Sequence, residues 1–428
     1  MDRITLNQIV VDGSTVRYEY TAQGDVGRYF KPADPFFVQY DEDMSGVPEA
    51  ILAIPFLSNV LPVAWITGSV VMVKTADKCF FETMETVRQN FSTLYAGTGV
   101  SFTGGLEAGC LEDCCYEDTG KAAAFFSGGV DSYCTLIRHA EKKPDLLTVW
   151  GSDIFLDDEA GWENVKSSTL ETAQIYGLKA SFIKSSFRKF INYETLDRDF
   201  SKALNNIWWG GVQHGIGIAA HAAPYAWKNQ IGTLYFAASY SVLDKNLIWG
   251  SMPSLEGEMR FGSCAVHHDG FELSRQDKIM EIARYREKTG MPVKLRVCWQ
   301  SKGGSNCCSC EKCYRTAMGF LVSGFDPNHY NLNMDLSVEN LNNIKNLIVW
   351  GSPSYVSHKF WDPIKDVAVR NKRALKKLWY FPHIKWIYKI EFTDLTNNPI
   401  RKRVERITGI KAKLKKTVPE ALYRKIKH

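Results

Sequence analysis

Between Thr15 and Thr21 the chain alternates strictly, with Val16, Tyr18 and Tyr20 on one face and Thr15, Arg17, Glu19 and Thr21 on the other. A period of two marks a half-buried β-strand. From Ile51 to Val73 there is no charged residue, over a length that matches a bilayer span. Pro55 and Pro62, with Gly68-Ser69 ahead of the largely β-branched Val70-Val71-Met72-Val73, argue instead for a buried helix followed by a buried strand. Phe81, Met84, Val87, Phe91 and Leu94 then recur at helical spacing and predict an amphipathic helix over 81–95. The polar, glycine-rich stretch 97–120 predicts a linker.

Beyond it, short apolar runs alternate with helical patterns. Ala122–Phe126, Leu146–Trp150, Ala180–Ile183, Leu234–Ala238 and Leu295–Trp299 predict strands, and Ser132–Glu141 and Trp162–Tyr176 predict helices between them. Such alternation predicts an α/β fold, a parallel sheet with helices on both faces, whose ligands bind at the carboxyl ends of the strands. The chain accordingly divides into an α+β N-terminal domain (1–118), a sheet domain (119–326) and a helical, basic C-terminal extension (327–428).

Composition fits a globular chain, with 45% hydrophobic and 23% charged residues. The net charge of +5 hides an asymmetry. Residues 359–428 carry 20 Lys/Arg against 6 Asp/Glu, which leaves 32 against 41 in the rest. A basic tail on an acidic body fits either an anionic partner or a solvated helical face. The start of the chain shows no secretory signal, and eleven cysteines in such a chain read as reduced thiols or metal ligands rather than disulfides. A cytoplasmic protein without a transmembrane span is expected.

The apolar run 122–126 leads directly into Ser127-Gly128-Gly129-Val130-Asp131-Ser132, after which Tyr133-Cys134-Thr135-Leu136-Ile137 begins a helix. Two glycines let the backbone approach a polyphosphate, and the amides at the helix start face the anion. Ser127 and Ser132 can donate hydroxyl hydrogen bonds, and Asp131 can hold a magnesium ion bridging the phosphates. A glycine turn with a serine cap is the plainer account, but the complete motif between strand and helix is more specific than that. It is no Walker loop, since no Gly-Lys-Ser/Thr follows.

Cys298, Cys307, Cys310 and Cys313 stand at steps of nine, three and three. Four thiolates with no open position suit a structural zinc ion; an iron–sulfur cluster is the alternative. Cys308 is a spare thiol, and Cys110, Cys114 and Cys115 read as exposed reduced thiols.

The motif Ser127–Ser132 resembles that of the PP-loop, or N-type, ATP pyrophosphatases, whose fold is Rossmann-like. The resemblance implies cleavage of ATP to AMP and pyrophosphate: a substrate oxygen attacks the α-phosphorus, and a nitrogen or sulfur nucleophile then displaces AMP. The late Cys-x8-Cys-x2-Cys-x2-Cys knuckle, with Leu273-Ser274-Arg275-Gln276-Asp277-Lys278-Ile279 ahead of it, is similar to 7-cyano-7-deazaguanine synthase over residues 121–320. Cys308 stands where that family has glycine, and Trp208–Ser251 departs from its substrate-binding pattern. Leu61-Pro62-Val63-Ala64, His267-His268-Asp269-Gly270 and Asn306-Cys307 resemble larger queuosine-synthase-like proteins of bacterial defence islands (the Qat anti-phage type) and surface-polysaccharide clusters. The resemblance implies ATP, Mg2+ and Zn2+ as cofactors, a small acid as substrate, and a protein acceptor in the defence-type relatives.

Other residues have two readings each. Asp153, after the second core strand, suits a magnesium-holding or nucleophile-positioning role, or a loop cap. His214 suits an ATP contact or a base, or a structural histidine. Ser239 follows the fourth strand, where a substrate contact is expected. Arg275 suits stabilisation of charge on the α-phosphate, or an exposed helix start. His267, His268 and Asp269 read as loop residues. Trp379, Tyr380, Phe381, Trp386 and Tyr388, mixed with Lys385, fit stacking on nucleic acid or a lipid interface; docking on protein is preferred. Outside the leading adenylating ligase stand amidation of a sugar acid, an ATP sensor without turnover, and an RNA-binding protein.

Overall fold

A computed structural model of the chain describes residues 2–244, 247–298, 303–350 and 356–395. Eleven strands form one sheet: β1 (Arg3–Asp12), β2 (Thr15–Gln23), β3 (Phe37–Tyr40), β4 (Val70–Asp77), β5 (Gly105–Glu112), β6 (Lys121–Phe125), β7 (Asp145–Trp150), β8 (Ala180–Ser185), β9 (Ile231–Ala237), β10 (Arg260–Phe261) and β11 (Cys264–Asp269). Their order is β10-β11-β9-β6-β7-β8-β3-β2-β1-β4-β5. The block β11-β9-β6-β7-β8 is parallel throughout, so the ends of its strands share one edge. A mostly parallel sheet flanked by helices on both faces, with an α+β N-terminal region and a helical C-terminal region, is the architecture the alternating pattern predicts.

The chain forms two compact units, Met1–Ser305 and Asn306–His428. Within the first, the sheet runs unbroken through residue 118, because β3 pairs antiparallel with β8 through Val38↔Ser185, Gln39↔Lys184 and Tyr40↔Ile183. The alternation of 15–21 is seen in β2, where Val16 and Tyr18 are buried. The charge-free segment is the helix Ile54–Thr67 followed by β4, and every residue from Ile54 to Ile66 is buried. Among the described residues no helix is long and apolar enough to cross a membrane.

Two segments of the sheet differ from expectation. β5 lies inside the stretch expected to be a linker and pairs parallel with β4. It is the edge strand and most of its side chains meet solvent, so it carries neither an apolar run nor alternation. His267, His268 and Asp269, expected in a loop, end β11. His268 Nδ1 meets Glu256 Oε1 at 2.7 Å, with both side chains buried.

In the second unit the helix Glu311–Val322 packs against His358–Arg370, whose buried Trp361 donates through Nε1 to Glu311 Oε1 (2.8 Å), and Val338–Trp350 is a third helix. Of the aromatic run 379–388, Tyr380 and Trp386 are buried in this unit and Tyr380 Oη donates to Leu321 O, while Trp379 is exposed. The rest of the basic tail, 396–428, lies outside the described residues.

Asp269 ties the helix that starts at the glycine loop (Val130–Arg138) to β11. It accepts from Thr135 Oγ1 (2.8 Å), and its other oxygen meets His139 Nε2 (2.9 Å) and Arg138 Nε (3.5 Å). Burial alone raises its carboxyl; His139 and Thr135, with Arg138 alongside, outweigh that and hold it below the usual carboxylate range. A carboxyl depressed in the fold stabilises at neutral pH, and that stabilisation is lost as pH falls through the folded value. Asp269→Asn is therefore expected to cost about 1.5–3 kcal/mol at pH 7 in urea unfolding. Its deficit against the parent is expected to shrink below about pH 4, the unfolded carboxylate value.

Candidate functional site

β6 ends at Phe125, and after four residues the helix Val130–Arg138 begins, with Gly129 as a cap that has no side chain to offer. No side chain caps the first turn, and helix starts of this kind are where anions bind. Gly128 turns the chain at φ 75°, a left-handed conformation that favours glycine. The serines brace the loop from within. Ser132 Oγ, buried, donates to Gly129 O (3.2 Å) and accepts from Ser127 N (3.3 Å), while Gly129 N donates to Ser127 Oγ (3.4 Å). Ser127 itself is exposed, and Val130 anchors the turn in the core.

Asp131, in the first turn, faces a second helix, Arg275–Thr289, which opens with a capping box between Ser274 and Asp277. Arg275 Nη1 donates to Asp131 Oδ2 (2.8 Å), and Lys278 Nζ reaches Asp131 Oδ1 (3.4 Å) and Ala238 O (2.5 Å). Both cations are withdrawn from water, their side chains 9% and 2% exposed. Arg275 Nε and Nη2 are buried and have no hydrogen-bond partner among the described residues. Lys278 was given no role on sequence grounds. The available signal was its spacing, one helical turn past Arg275 and so on the same face.

A third cation also escaped the sequence reading. Residues 291–298, expected to hold the start of a strand at Leu295, form none; Trp299 lies outside the described residues. The segment instead straps the glycine loop. Arg296 N donates to Gly128 O (2.7 Å), and its guanidinium donates to Ser127 O (Nη2 2.9 Å, Nε 3.2 Å). Lys294 N donates to Tyr133 Oη (3.1 Å), which ties the strap to the loop helix as well.

Asp153 is exposed, three residues past β7, and its charge acts on both Arg296 and His214. His214 follows one π-helical turn, Trp209–Gln213, a backbone irregularity frequent at functional sites. Its ring lies among Trp209 (5.0 Å), Trp249 (5.2 Å) and Phe236 (6.2 Å), and its Nδ1 is buried without a partner among the described residues. Burial lowers its pKa, against the pull of Asp153 and Glu256. Arg188, also missed, stacks on Trp209 (4.0 Å) and Phe155 (5.1 Å) and donates to Ser152 O (2.8 Å). Ser239 lies two residues past β9, next to the carbonyl that takes Lys278. So Ser127–Ser132 and Arg275 are brought into contact, Asp153 and His214 within electrostatic reach, and Ser239 on the same edge.

The Sγ atoms of Cys298, Cys307, Cys310 and Cys313 all lie within 4.8 Å of one another. Cys310 and Cys313 are 3.5 Å apart, Cys307 and Cys313 3.9 Å. Sulfurs bound at about 2.3 Å around one tetrahedral ion sit about 3.8 Å apart, so four soft donors at this spacing fit a single metal ion. They do not suit a cluster whose thiolates bind different irons. Of the other cysteines, Cys110 and Cys115 are exposed as expected, whereas Cys114 is buried against Asp77, and burial pushes its thiol up to about 12.

No family model, no curated protein and no solved structure matches this chain.

Two outcomes test the geometry. Gly128→Ala is expected to destabilise the fold by about 1–2 kcal/mol, since an L side chain is strained at this φ and its Cβ would stand 3.3 Å from that of Arg296. Thermal unfolding reads this. Elemental analysis is expected to find bound zinc in the parent, lost to background in Cys310→Ser and retained in Cys110→Ser.

Proposed function

We propose that this chain is a PP-loop ATP pyrophosphatase that adenylates a carboxylate or amide oxygen and passes the acyl group to nitrogen. One observation carries the reading: a glycine loop between strand and helix offers no side-chain cap to the first turn, beside a buried guanidinium with two nitrogens unpartnered among the described residues. A buried guanidinium with donors to spare beside an uncapped helix start is a site for a polyanion. In this reading the β- and γ-phosphates rest on Ser127–Ser132, and the α-phosphorus lies toward the ends of β7 and β9. The substrate oxygen attacks that phosphorus, the bond to the bridging oxygen breaks, and pyrophosphate leaves with its electron pair. A nitrogen nucleophile then attacks the activated carbon and AMP departs.

Each side chain has a part in this. Arg275 spreads the charge building on the phosphates as the bond breaks. Asp153 is a carboxylate in place for magnesium, which when bound would neutralise phosphate charge, and Asp131 holds Arg275 and Lys278. His214, kept neutral by burial, and Ser239 contact the substrate, among the aromatic rings at the strand ends. Zinc at the four cysteines is structural, since thiolates fill every position. The substrate implied by the resemblance is a 7-deazaguanine acid, with a protein as nitrogen donor in the defence-type relatives.

Incubation with α-labelled ATP and a panel of small acids tests this. Substrate-dependent release of AMP and pyrophosphate in equal amounts is expected, falling at least about 100-fold in Asp131→Ala, which leaves two buried cations uncompensated. Release that is unchanged in that variant sinks the reading.

A further inference from the structure

The groups that face Asp131 do not balance in charge among the described residues. Arg275 and Lys278 bring two positive charges and Asp131 one negative, and each carboxylate oxygen already faces a cation, Oδ2 the guanidinium and Oδ1 the ammonium. The ammonium cannot extend to water: its side chain is 2% exposed, and it is held by the carbonyl of Ala238 at the end of β9. The guanidinium keeps two buried nitrogens without partners among the described residues. Desolvated donors of this kind are costly to leave unmet and bind anions strongly when one arrives. Asp153 differs in every respect, being exposed and forming no ion pair among the described residues.

We propose that Asp131 is a positioning residue, the counter-ion that aims Arg275 and Lys278 at the phosphates, and that it is not a magnesium ligand. Lys278 is then a second phosphate-binding cation, and Asp153 is the carboxylate left for the metal. This rests on the ATP reading above and divides the labour within it. The loop and two cations grip the polyphosphate without metal, and exposed Asp153 would hold magnesium, which would supply further neutralisation of phosphate charge. Taking the ammonium from carboxylate to phosphate needs no new burial, since it is already dry.

Titration calorimetry on the full chain separates these roles. Inorganic pyrophosphate is expected to bind in the presence of EDTA. Arg275→Gln and Lys278→Met are each expected to weaken that binding about ten-fold or more, as for loss of a charged hydrogen bond. Both variants are checked by thermal unfolding; Arg275→Gln, nearer the surface, keeps the test open should the buried Lys278→Met fail to fold. The Mg2+ concentration that half-saturates enhancement of ATP binding is expected to stay the same in Asp131→Asn and to rise about ten-fold or more in Asp153→Asn, which removes a charged ligand. A rise in Asp131→Asn, or pyrophosphate affinity unchanged in both cation variants, overturns the proposal while the ATP reading stands. A parent that binds neither ATP nor pyrophosphate overturns both.

Discussion

β3 is four residues long and pairs with β8 over three, yet this short antiparallel contact is what joins two sheets into one. With Val38 set against Ser185 and Tyr40 against Ile183, the N-terminal strands extend the parallel block in place of leaving β8 as a bare edge. The join also sets the floor of the ligand edge. Tyr40 Oη donates to His221 O (3.1 Å), and His221 meets Ser185 Oγ (2.8 Å) through Nε2. Burial lowers the imidazole to about 4, so it stays neutral and serves the packing. From the same N-terminal region Asn59 Oδ1 accepts from Gln213 Nε2 (2.6 Å), and Tyr95 Oη donates to Gly211 O (2.7 Å). Those two bonds fix the π-helical turn that presents His214. The N-terminal region thus supports the site although it contributes no charged group to the glycine loop.

The glycine loop is built on a different principle. Elsewhere in the first unit two buried carboxylates are matched: Glu256 meets His268, and Asp269 meets His139, Thr135 and Arg138. Around Asp131 the cations outnumber the carboxylate that orders them, and the surplus lies in low dielectric, where it attracts an anion more strongly than at the surface. Packing keeps that surplus in place. Lys278 cannot relax toward solvent, Arg275 is fixed by the capped start of its helix, and the strap holds Ser127 and Gly128 from the other side through Arg296. Such preorganisation places the reorganisation cost in folding rather than in binding.

What could be read from the sequence was what local pattern determines. The strand–glycine–helix transition at 122–137, the alternation of 15–21, the buried character of 54–66 and the cysteine spacing are all statements about neighbours in the chain. What could not be read depends on distant partners. Lys278 meets Asp131 across 147 positions, and its spacing one turn past Arg275 shows a shared face but not what that face meets. β5 is invisible because an edge strand with solvent on its outer side needs no apolar residues, only a neighbour with free backbone groups.

The strap shows the same limit from the opposite side. Val293, Leu295 and Val297 are buried and the residues between them half-exposed, a period of two that predicts a strand. Alternation, however, reports only that one side of an extended chain is covered, and says nothing of what covers it. Here the backbone amides of Arg296 and Lys294 bond with Gly128 and Tyr133, so the same pattern yields a brace on the phosphate loop. The extended chain then brings Arg296 to Ser127, and two residues later it reaches Cys298, the first of the four cysteines. The feature most legible as chemistry, the cysteine spacing, is therefore continuous in the chain with the least legible one, the strap that shapes the glycine loop.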